Sequence, residues 1–140
     1  MLIISLLCII GVVSANTECI WAIGRLLCKR DQLRVMDAVV EVWDQDAAFI
    51  PTLNFLNPDD KAGFTIVDNV NGEFKIEGCA ADYDPLGPLL PPNRPDFYFY
   101  IRHKCNSDKM EELYVFPSKS VFAPRTMDFF YKQPIILDRK

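Results

Sequence analysis

His103 and Cys105 are the residues of this chain whose types and spacing could build a nucleophilic site. His103 is the only histidine in the sequence, and an imidazole beside a cysteine can activate its thiolate for attack on a substrate. Residues two apart on a β-strand share one face, so both side chains are predicted to point the same way as Phe99 and Ile101. The reaction needs a free thiolate. The fate of the Cys105 sulfur therefore decides between a reactive pair and a structural feature.

The N-terminus predicts export from the cell. Residues 1–15 form an uncharged apolar run that ends in Val13-Ser14-Ala15, small residues at the spacing that signal peptidase favours. The run is shorter than the roughly 20 residues of a membrane-spanning helix. We therefore predict a signal peptide over 1–15, rather than an anchor or a leading buried strand. A single domain over 16–140 would then be secreted to the extracellular space.

Four cysteines follow the predicted signal peptide: Cys19, Cys28, Cys79 and Cys105. An even number in a small exported domain indicates disulfides, and no Cys-x-x-Cys spacing offers a zinc site. Because oxidised Cys105 has no thiolate, we predict that the protein is not a Cys-His enzyme. His103 is expected near a strand end, hydrogen-bonded to the backbone or to a carboxylate.

The charge balance argues against nucleic acid as a partner. The formal net charge is −4 and the sequence pI is about 4.9, so no basic stripe is available to neutralise phosphates. Acidic residues flank the segment 47–61, and oxygen-rich clusters of this kind can hold calcium. No calcium loop of known spacing is present, so we expect a solvated acidic rim and no metal or cofactor. The acidic residues are Asp44, Asp46, Asp59 and Asp60.

Alternating apolar residues separated by turn residues predict an all-β chain. The predicted strands cover 19–28, 35–44, 63–67, 73–78, 97–104, 112–116, part of 121–131, and 135–137. Asn71-Gly72 predicts a tight hairpin turn, because both residues accept positive φ. The segments 47–61 and 82–95 are rich in proline and are predicted to be loops or polyproline pieces.

Three short motifs follow one another along the chain. The segment 24–28 ends in a cysteine, the segment 68–78 contains Asn-Gly-Glu-Phe, and the segment 96–105 ends in His-Lys-Cys. Together they resemble the transthyretin-like family of secreted proteins, which is abundant in nematodes. The resemblance runs from Ile20 to Leu137. The chain departs from the family pattern after the first motif and at Phe97, where the family usually has a proline, and both proline-bearing loops are enlarged.

The resemblance implies a two-sheet β-sandwich of seven or eight strands. The first, fourth, seventh and eighth strands would form one sheet, and the second, third, fifth and sixth the other. Members of the family are extracellular binding or signalling proteins without a common reaction. Relatives in fold that hydrolyse 5-hydroxyisourate use several histidines, an arginine and a Tyr-Arg-Gly-Ser terminus. This chain has one histidine and a different terminus, so such an enzyme is the least favoured alternative.

Within that topology, side-chain parity favours one of the three possible disulfide pairings. Cys19 and Cys28 point to opposite faces of the first strand, and Cys79 lies on an outer face of its strand. Cys105 shares the inner face of its strand with Phe99 and Ile101. Matching faces therefore favours Cys28 with Cys105 and Cys19 with Cys79, unless a β-bulge reverses the parity.

The outer face of the second predicted strand adjoins the strand that carries two outward tyrosines. An exposed aromatic patch is predicted from Val39, Trp43, Tyr98 and Tyr100. The alternative is that the Pro-rich loop folds over the patch through Leu86, Leu89 and Leu90. The predicted function is binding of an extracellular protein, lipid or small apolar ligand through this patch or loop. An exported inhibitor or effector that inserts the loop 82–95 into a partner is the alternative function.

The first strand is apolar on both faces. Trp21, Ile23 and Leu27 lie opposite the core set, and a strand with two apolar faces needs a cover on its outer side. The sequence therefore allows a homodimer through this face. Packing of the chain's own loops against it is the alternative.

Overall fold

The computed structural model of the chain describes residues 15–46, 58–83, 95–116, 121–123, 126–130 and 133–138. Most of the predicted signal peptide lies outside these residues, and Ala15 begins the first strand. The described part contains nine strands and one short 3-10 helix, Gln32–Val35. None of its helices is long and apolar enough to cross a membrane.

The strands are β1 (Ala15–Leu27), β2 (Val39–Asp44), β3 (Asp60–Ile66), β4 (Glu73–Tyr83), β5 (Phe97–His103), β6 (Glu111–Val115), β7 (Val121–Ala123), β8 (Thr126–Phe130) and β9 (Ile135–Ile136). One sheet has the order β4-β1-β8-β7, with β9 pairing the end of β1. The other has the order β3-β2-β5-β6. The predicted all-β sandwich and its division of strands are confirmed. The strand number is nine because the segment 121–131 forms two strands.

The core lies between the two sheets and follows the alternation of side chains along each strand. Ile20, Ala22 and Leu26 of β1 face Val40 and Val42 of β2, and all are buried. Rings from opposite sheets meet at the centre, where the centroids of Phe74 and Phe99 are 6.5 Å apart. Burial of each such side chain contributes about 1.5–3 kcal/mol. These contacts fix which residues remain on the two outer faces.

The second strand begins later than predicted. Residues 32–35 form the 3-10 helix because the Asp31 side chain caps it, accepting the Leu33 N–H at 3.0 Å. Asp37 then adopts a φ of 61°, and its N–H donates to the carbonyl of Val67. The predicted strand over 35–44 is therefore wrong in its first part, since local capping overrides the apolar alternation there.

Asn71-Gly72 forms a turn, but the predicted hairpin is wrong. The flanking strands β3 and β4 lie in different sheets, so the turn is a corner between the layers. Gly72 has a φ of 74°, and a Cβ added there would clash with the carbonyl oxygen of Leu26. The Asn69 side chain bridges the corner through both the N–H and the carbonyl of Glu73. Positive φ identifies such a turn without specifying which sheet the next strand joins.

Candidate functional site

Both predicted disulfides are present. Cys28 and Cys105 are buried, and their bond joins the end of β1 to the end of β5 across the two sheets. Cys19 and Cys79 are bonded between directly opposite positions of β1 and β4. Each bond closes a long loop of chain, and bonds of this kind contribute about 2–4 kcal/mol by restricting the unfolded state.

His103 is a structural residue rather than half of a nucleophilic pair. It is buried at the end of β5, and its Nδ1 accepts the N–H of Cys105 at 3.2 Å. The expected hydrogen bond to the backbone is confirmed. Because the Cys105 sulfur is bonded to Cys28, no thiolate is available for the imidazole to activate.

Further contacts close this end of the sandwich. The Cys28 N–H donates to the side chain of Gln32 at 3.1 Å. The carboxylate of Asp138 accepts the N–H of Lys29 at 2.7 Å and that of Arg30 at 3.2 Å. We call this region the disulfide end. Its polar groups are hydrogen-bonded to one another, at buried His103 and at exposed Lys29 and Arg30 alike.

The outer surface of the second sheet carries a set of apolar side chains, with Glu41 and Arg102 among them at its centre, and we call this surface the aromatic face. The register places Trp43 opposite Tyr98, and Tyr100 opposite both Glu41 and Tyr114. All four strands contribute to it. Its members are Phe64, Ile66, Val39, Trp43, Tyr98, Tyr100, Tyr114 and Phe116.

The four residues predicted for the patch come together on this face, but they are not its most exposed members. Tyr98 is only 8% exposed, because Phe116 stacks on it with ring centroids 5.4 Å apart. Val39, Trp43 and Tyr100 are half-buried. The prediction that Tyr98 is exposed is therefore wrong. Its neighbour on the edge strand takes the outer position.

The most exposed members of the face were missed in the sequence. Phe64 is 63% exposed and Phe116 is 64% exposed, with Ile66 and Tyr114 also exposed. The usable signal was the alternation in the segments 63–67 and 112–116, which places these residues outward in pairs. Leu86, Leu89 and Leu90 lie outside the described residues.

A buried carboxylate organises the centre of the face. Glu41 accepts three hydrogen bonds: from Trp43 Nε1 and Lys61 Nζ, each at 2.9 Å, and from Arg102 Nη2 at 3.0 Å. Burial favours the neutral acid, but these donors and the charges of Lys61 and Arg102 outweigh it and lower the pKa of Glu41. Lys61 Nζ also lies 5.4 Å from the centroid of the Trp43 ring.

The two tyrosines of β5 remain protonated near neutral pH. The Tyr98 hydroxyl donates to Asp59 Oδ2 at 2.8 Å, and burial together with that carboxylate raises the pKa of Tyr98. A hydrogen bond to Glu112, with burial, raises the pKa of Tyr100 to about 12. Both hydroxyls are therefore hydrogen-bond donors on the face.

Three carboxylates meet at the end of the sandwich away from the disulfide end. Oxygens of Asp44, Asp46 and Asp82 all lie within 4.8 Å of one another. Asp44 is 1% exposed and Asp82 is 3% exposed. Burial raises the pKa of Asp44, and burial with the charge of Asp44 raises that of Asp82. We call this group the acidic cluster.

The predicted solvated acidic rim is thus wrong in part. Asp44 is buried, and its Oδ1 accepts the N–H of Asp96 at 2.7 Å. Asp59 is engaged by Tyr98, while Asp60 is exposed as expected. Asp82, whose carboxylate lies beside that of Asp44, belongs to the other sheet and was not part of the predicted group.

The outer face of the first sheet carries the predicted dimer residues. Ile23 is exposed, while Trp21 and Leu27 are half-buried. Lys75 Nζ lies 5.3 Å from the Trp21 ring centroid. Beside them lies an open groove of about 550 Å³, lined by paired residues of β1 and β4 and by Pro134. A homodimer through this face stays a prediction.

The two layers, their strand order and the two bonded cysteine pairs define a disulfide-bridged, transthyretin-like β-sandwich. Transthyretin-like protein 46 of Caenorhabditis elegans is 27% identical to the chain over 113 residues, which is 79% of this chain and 51% of that relative. The match confirms the predicted resemblance to the nematode transthyretin-like family. The chain spans about half the length of this relative.

No family model matches the chain. The crystal structure of a 9R-lipoxygenase from Cyanothece aligns with a TM-score of 0.45 and 20% identity, covering 87% of this chain and 16% of that chain. A structural similarity this low carries no argument about function.

Proposed function

We propose that the protein is an exported, non-enzymatic binding protein whose aromatic face docks a protein partner outside the cell. The observation that carries the proposal is the joint exposure of Phe64, Ile66, Tyr114 and Phe116 on one sheet face. These residues form two pairs at the opposite edges of the sheet, with half-buried Trp43 and Tyr100 between them. Exposed apolar surface marks partner sites in soluble proteins, and aromatic residues dominate binding energy at protein interfaces.

The chemistry of the face favours a protein over a lipid or a small ligand. Small apolar ligands bind in concave pockets, whereas this surface is one side of a four-stranded sheet. Anionic membranes attract basic surfaces, whereas the chain has a net charge of −4. Aromatic rings beside Arg102 match the composition of protein interface centres, which are enriched in aromatic residues and arginine.

The Glu41 contacts support binding by holding the face in shape before a partner arrives. Trp43, Lys61 and Arg102 each donate to Glu41, so these long side chains have little freedom left to lose. Ordering of flexible side chains costs about 0.5–1.5 kcal/mol each when a complex forms. A face ordered in advance avoids much of that cost.

The disulfide framework supports the export and the absence of catalysis. Two disulfides are typical of proteins that fold in an oxidising compartment. The Cys28–Cys105 bond removes the thiolate that a Cys-His mechanism needs. The single histidine also argues against a hydroxyisourate hydrolase, whose relatives in fold use several histidines.

A capture experiment tests the face directly. The secreted, oxidised protein is immobilised as wild type, as the double variant Phe64→Ser with Phe116→Ser, and as the control Leu33→Ser. Leu33 is an exposed leucine of the 3-10 helix, outside the second sheet. From extracellular fluid of the producing organism, wild type and Leu33→Ser should retain the same protein. The double variant should retain at least about tenfold less, since loss of interface anchors costs 2 kcal/mol or more.

Equal retention by all three proteins would contradict the proposal. Sedimentation with anionic vesicles distinguishes a lipid ligand from a protein partner. If the face binds lipid, wild type should sediment with the vesicles and the double variant should not. If the face binds a protein, the vesicles should not distinguish the two. Replacing residues 85–94 with a Gly/Ser linker tests the alternative in which the Pro-rich loop binds. Loss of capture in that variant, with the double variant unaffected, would favour the loop.

A further inference from the structure

The acidic cluster lies at the end of the sandwich where β2 of one sheet and β4 of the other both end. Asp44 is the last residue of β2 and Asp82 the last but one of β4, and the two strands belong to different sheets. β2 is antiparallel to β5, and β4 to β1, so this end is opposite the Cys28–Cys105 bond. The cluster is therefore the one described place at this end where carboxylates of both layers converge.

A second observation separates this cluster from an ordinary group of acidic residues. Asp82 is 3% exposed, and its Oδ1 is buried without a hydrogen-bond partner. Asp44 is equally buried, but its Oδ1 accepts the Asp96 N–H. A buried carboxylate oxygen without a partner costs free energy. Ionised carboxylates have only acceptor sites, so a cation or a shared proton is needed to hold the three side by side.

We propose that Asp44, Asp46 and Asp82 bind a calcium ion that links the two sheets. Calcium takes six to eight oxygen ligands at 2.3–2.6 Å, so oxygens on opposite sides of one ion are roughly 5 Å apart. The carboxylate oxygens here lie within 4.8 Å of one another. Three carboxylates supply up to six oxygens, and half-buried Asp46 leaves access for water.

The donor set favours calcium over other divalent ions. Zinc prefers nitrogen and sulfur ligands, and this cluster offers oxygen alone. Magnesium needs a tighter octahedron with ligands at about 2.0–2.1 Å and retains several waters. The bound ion would join β2 to β4 at the end away from the Cys28–Cys105 bond.

Thermal unfolding of the chelator-treated protein tests the site. Calcium sites of extracellular modules have Kd values on the order of 10⁻⁴ to 10⁻³ M. Calcium chloride at about ten times such a Kd should raise Tm by about 3–6 °C over sodium chloride of matched ionic strength. Asp82→Asn and Asp46→Asn should lose the shift. Asp60→Asn should keep it, because Asp60 is an exposed carboxylate outside the cluster.

Direct binding provides the second readout. Trp43 precedes Asp44 in β2, so excitation of tryptophan should sensitise terbium luminescence, and calcium should displace the terbium. A calcium shift of the same size in Asp82→Asn would overturn the site; if that variant does not fold, the same result in Asp46→Asn would do so. Absence of a calcium shift in the wild type would also overturn it. Stabilisation by mild acid alone would then identify a shared proton in place of the ion.

Discussion

The disulfide end and the aromatic face differ in whether their side chains are accessible to a partner. At the disulfide end, His103 and Cys105 have the residue types of a catalytic pair, yet each is already bound within the fold. On the aromatic face, Phe64 and Phe116 have no reactive group but remain exposed. The difference teaches that availability, more than residue type, decides where a small disulfide-bridged domain can act.

Replacement of the buried tyrosine of the face has the largest expected effect. Tyr98→Ala removes a ring that is buried beneath Phe116 and bonded to Asp59. We expect the free energy of unfolding to fall by about 3–5 kcal/mol, as for other buried aromatic truncations. Urea unfolding measures it, with Tyr98→Phe as the control that loses only the hydroxyl. A loss below about 1 kcal/mol would show that the ring is not part of the core.

Loss of the cross-sheet disulfide follows in size. The double variant Cys28→Ala with Cys105→Ala should lose about 2–4 kcal/mol of unfolding free energy, because the unfolded chain regains the freedom of a long loop. Denaturant unfolding under non-reducing conditions measures this loss. The double variant Cys19→Ala with Cys79→Ala, which lacks the other disulfide, is the comparison. The aromatic face should still capture its partner. Loss of capture in a protein that remains folded would contradict the separation of the two regions.

Glu41 links stability to pH on the aromatic face. Its pKa is lowered in the folded state, so the folded state binds its proton more weakly than the unfolded state. The resulting stability is present above the ordinary pKa of about 4.3 and is lost as pH falls through the folded pKa. Glu41→Gln should cost about 1–2 kcal/mol at neutral pH and less in acid. A cost that grows with acidification would contradict this sign.

His103 should matter for stability and not for any reaction. His103→Ala removes the acceptor of the Cys105 N–H, and an unsatisfied buried donor costs about 1–3 kcal/mol. His103→Gln, which keeps an acceptor, should recover part of the loss in urea unfolding. Capture of the partner should be unchanged in both. A hydrolytic activity that disappears in both variants would instead revive the enzyme interpretation.

The exposed rings should contribute least to stability. Phe64→Ser with Phe116→Ser should change the free energy of unfolding by less than about 1 kcal/mol, because both side chains are mostly in solvent. Comparison with the loss in Tyr98→Ala then distinguishes the exposed residues of the face from the buried residue beneath them. A loss comparable to that of Tyr98→Ala would place these rings in the core.

The sequence predicted the parts of the fold that depend on alternation. Parity within the implied topology was sufficient to pair Cys28 with Cys105 and Cys19 with Cys79. Apolar alternation gave a wrong prediction where a local hydrogen bond favours another structure. Asp31 caps a 3-10 helix, and the predicted strand over 35–44 therefore begins later. The turn residues Asn71-Gly72 were also assigned to a hairpin, since turn chemistry does not indicate that the next strand changes sheet.

The site residues were harder to predict than the fold. The aromatic face was recognised from Trp43 and Tyr98, but its exposed members come from the edge strands β3 and β6, whose order is a property of the whole sheet. The proximity of Asp44 to Asp82 was also missed, because Asp82 is distant in sequence and lies in the other layer. Hydrophobic periodicity and composition describe one strand at a time. They do not show which residues of different strands or sheets come into contact.

Site-specific photo-crosslinking tests the central claim, that the aromatic face is the partner surface. A photoreactive phenylalanine analogue replaces Phe116 in one protein and Leu33 in the other, both exposed positions. In extracellular fluid, the account predicts that one protein species crosslinks from position 116, that it does not crosslink from position 33, and that unlabelled wild type competes for it. A species that crosslinks equally from both positions, or none from 116, would contradict the account.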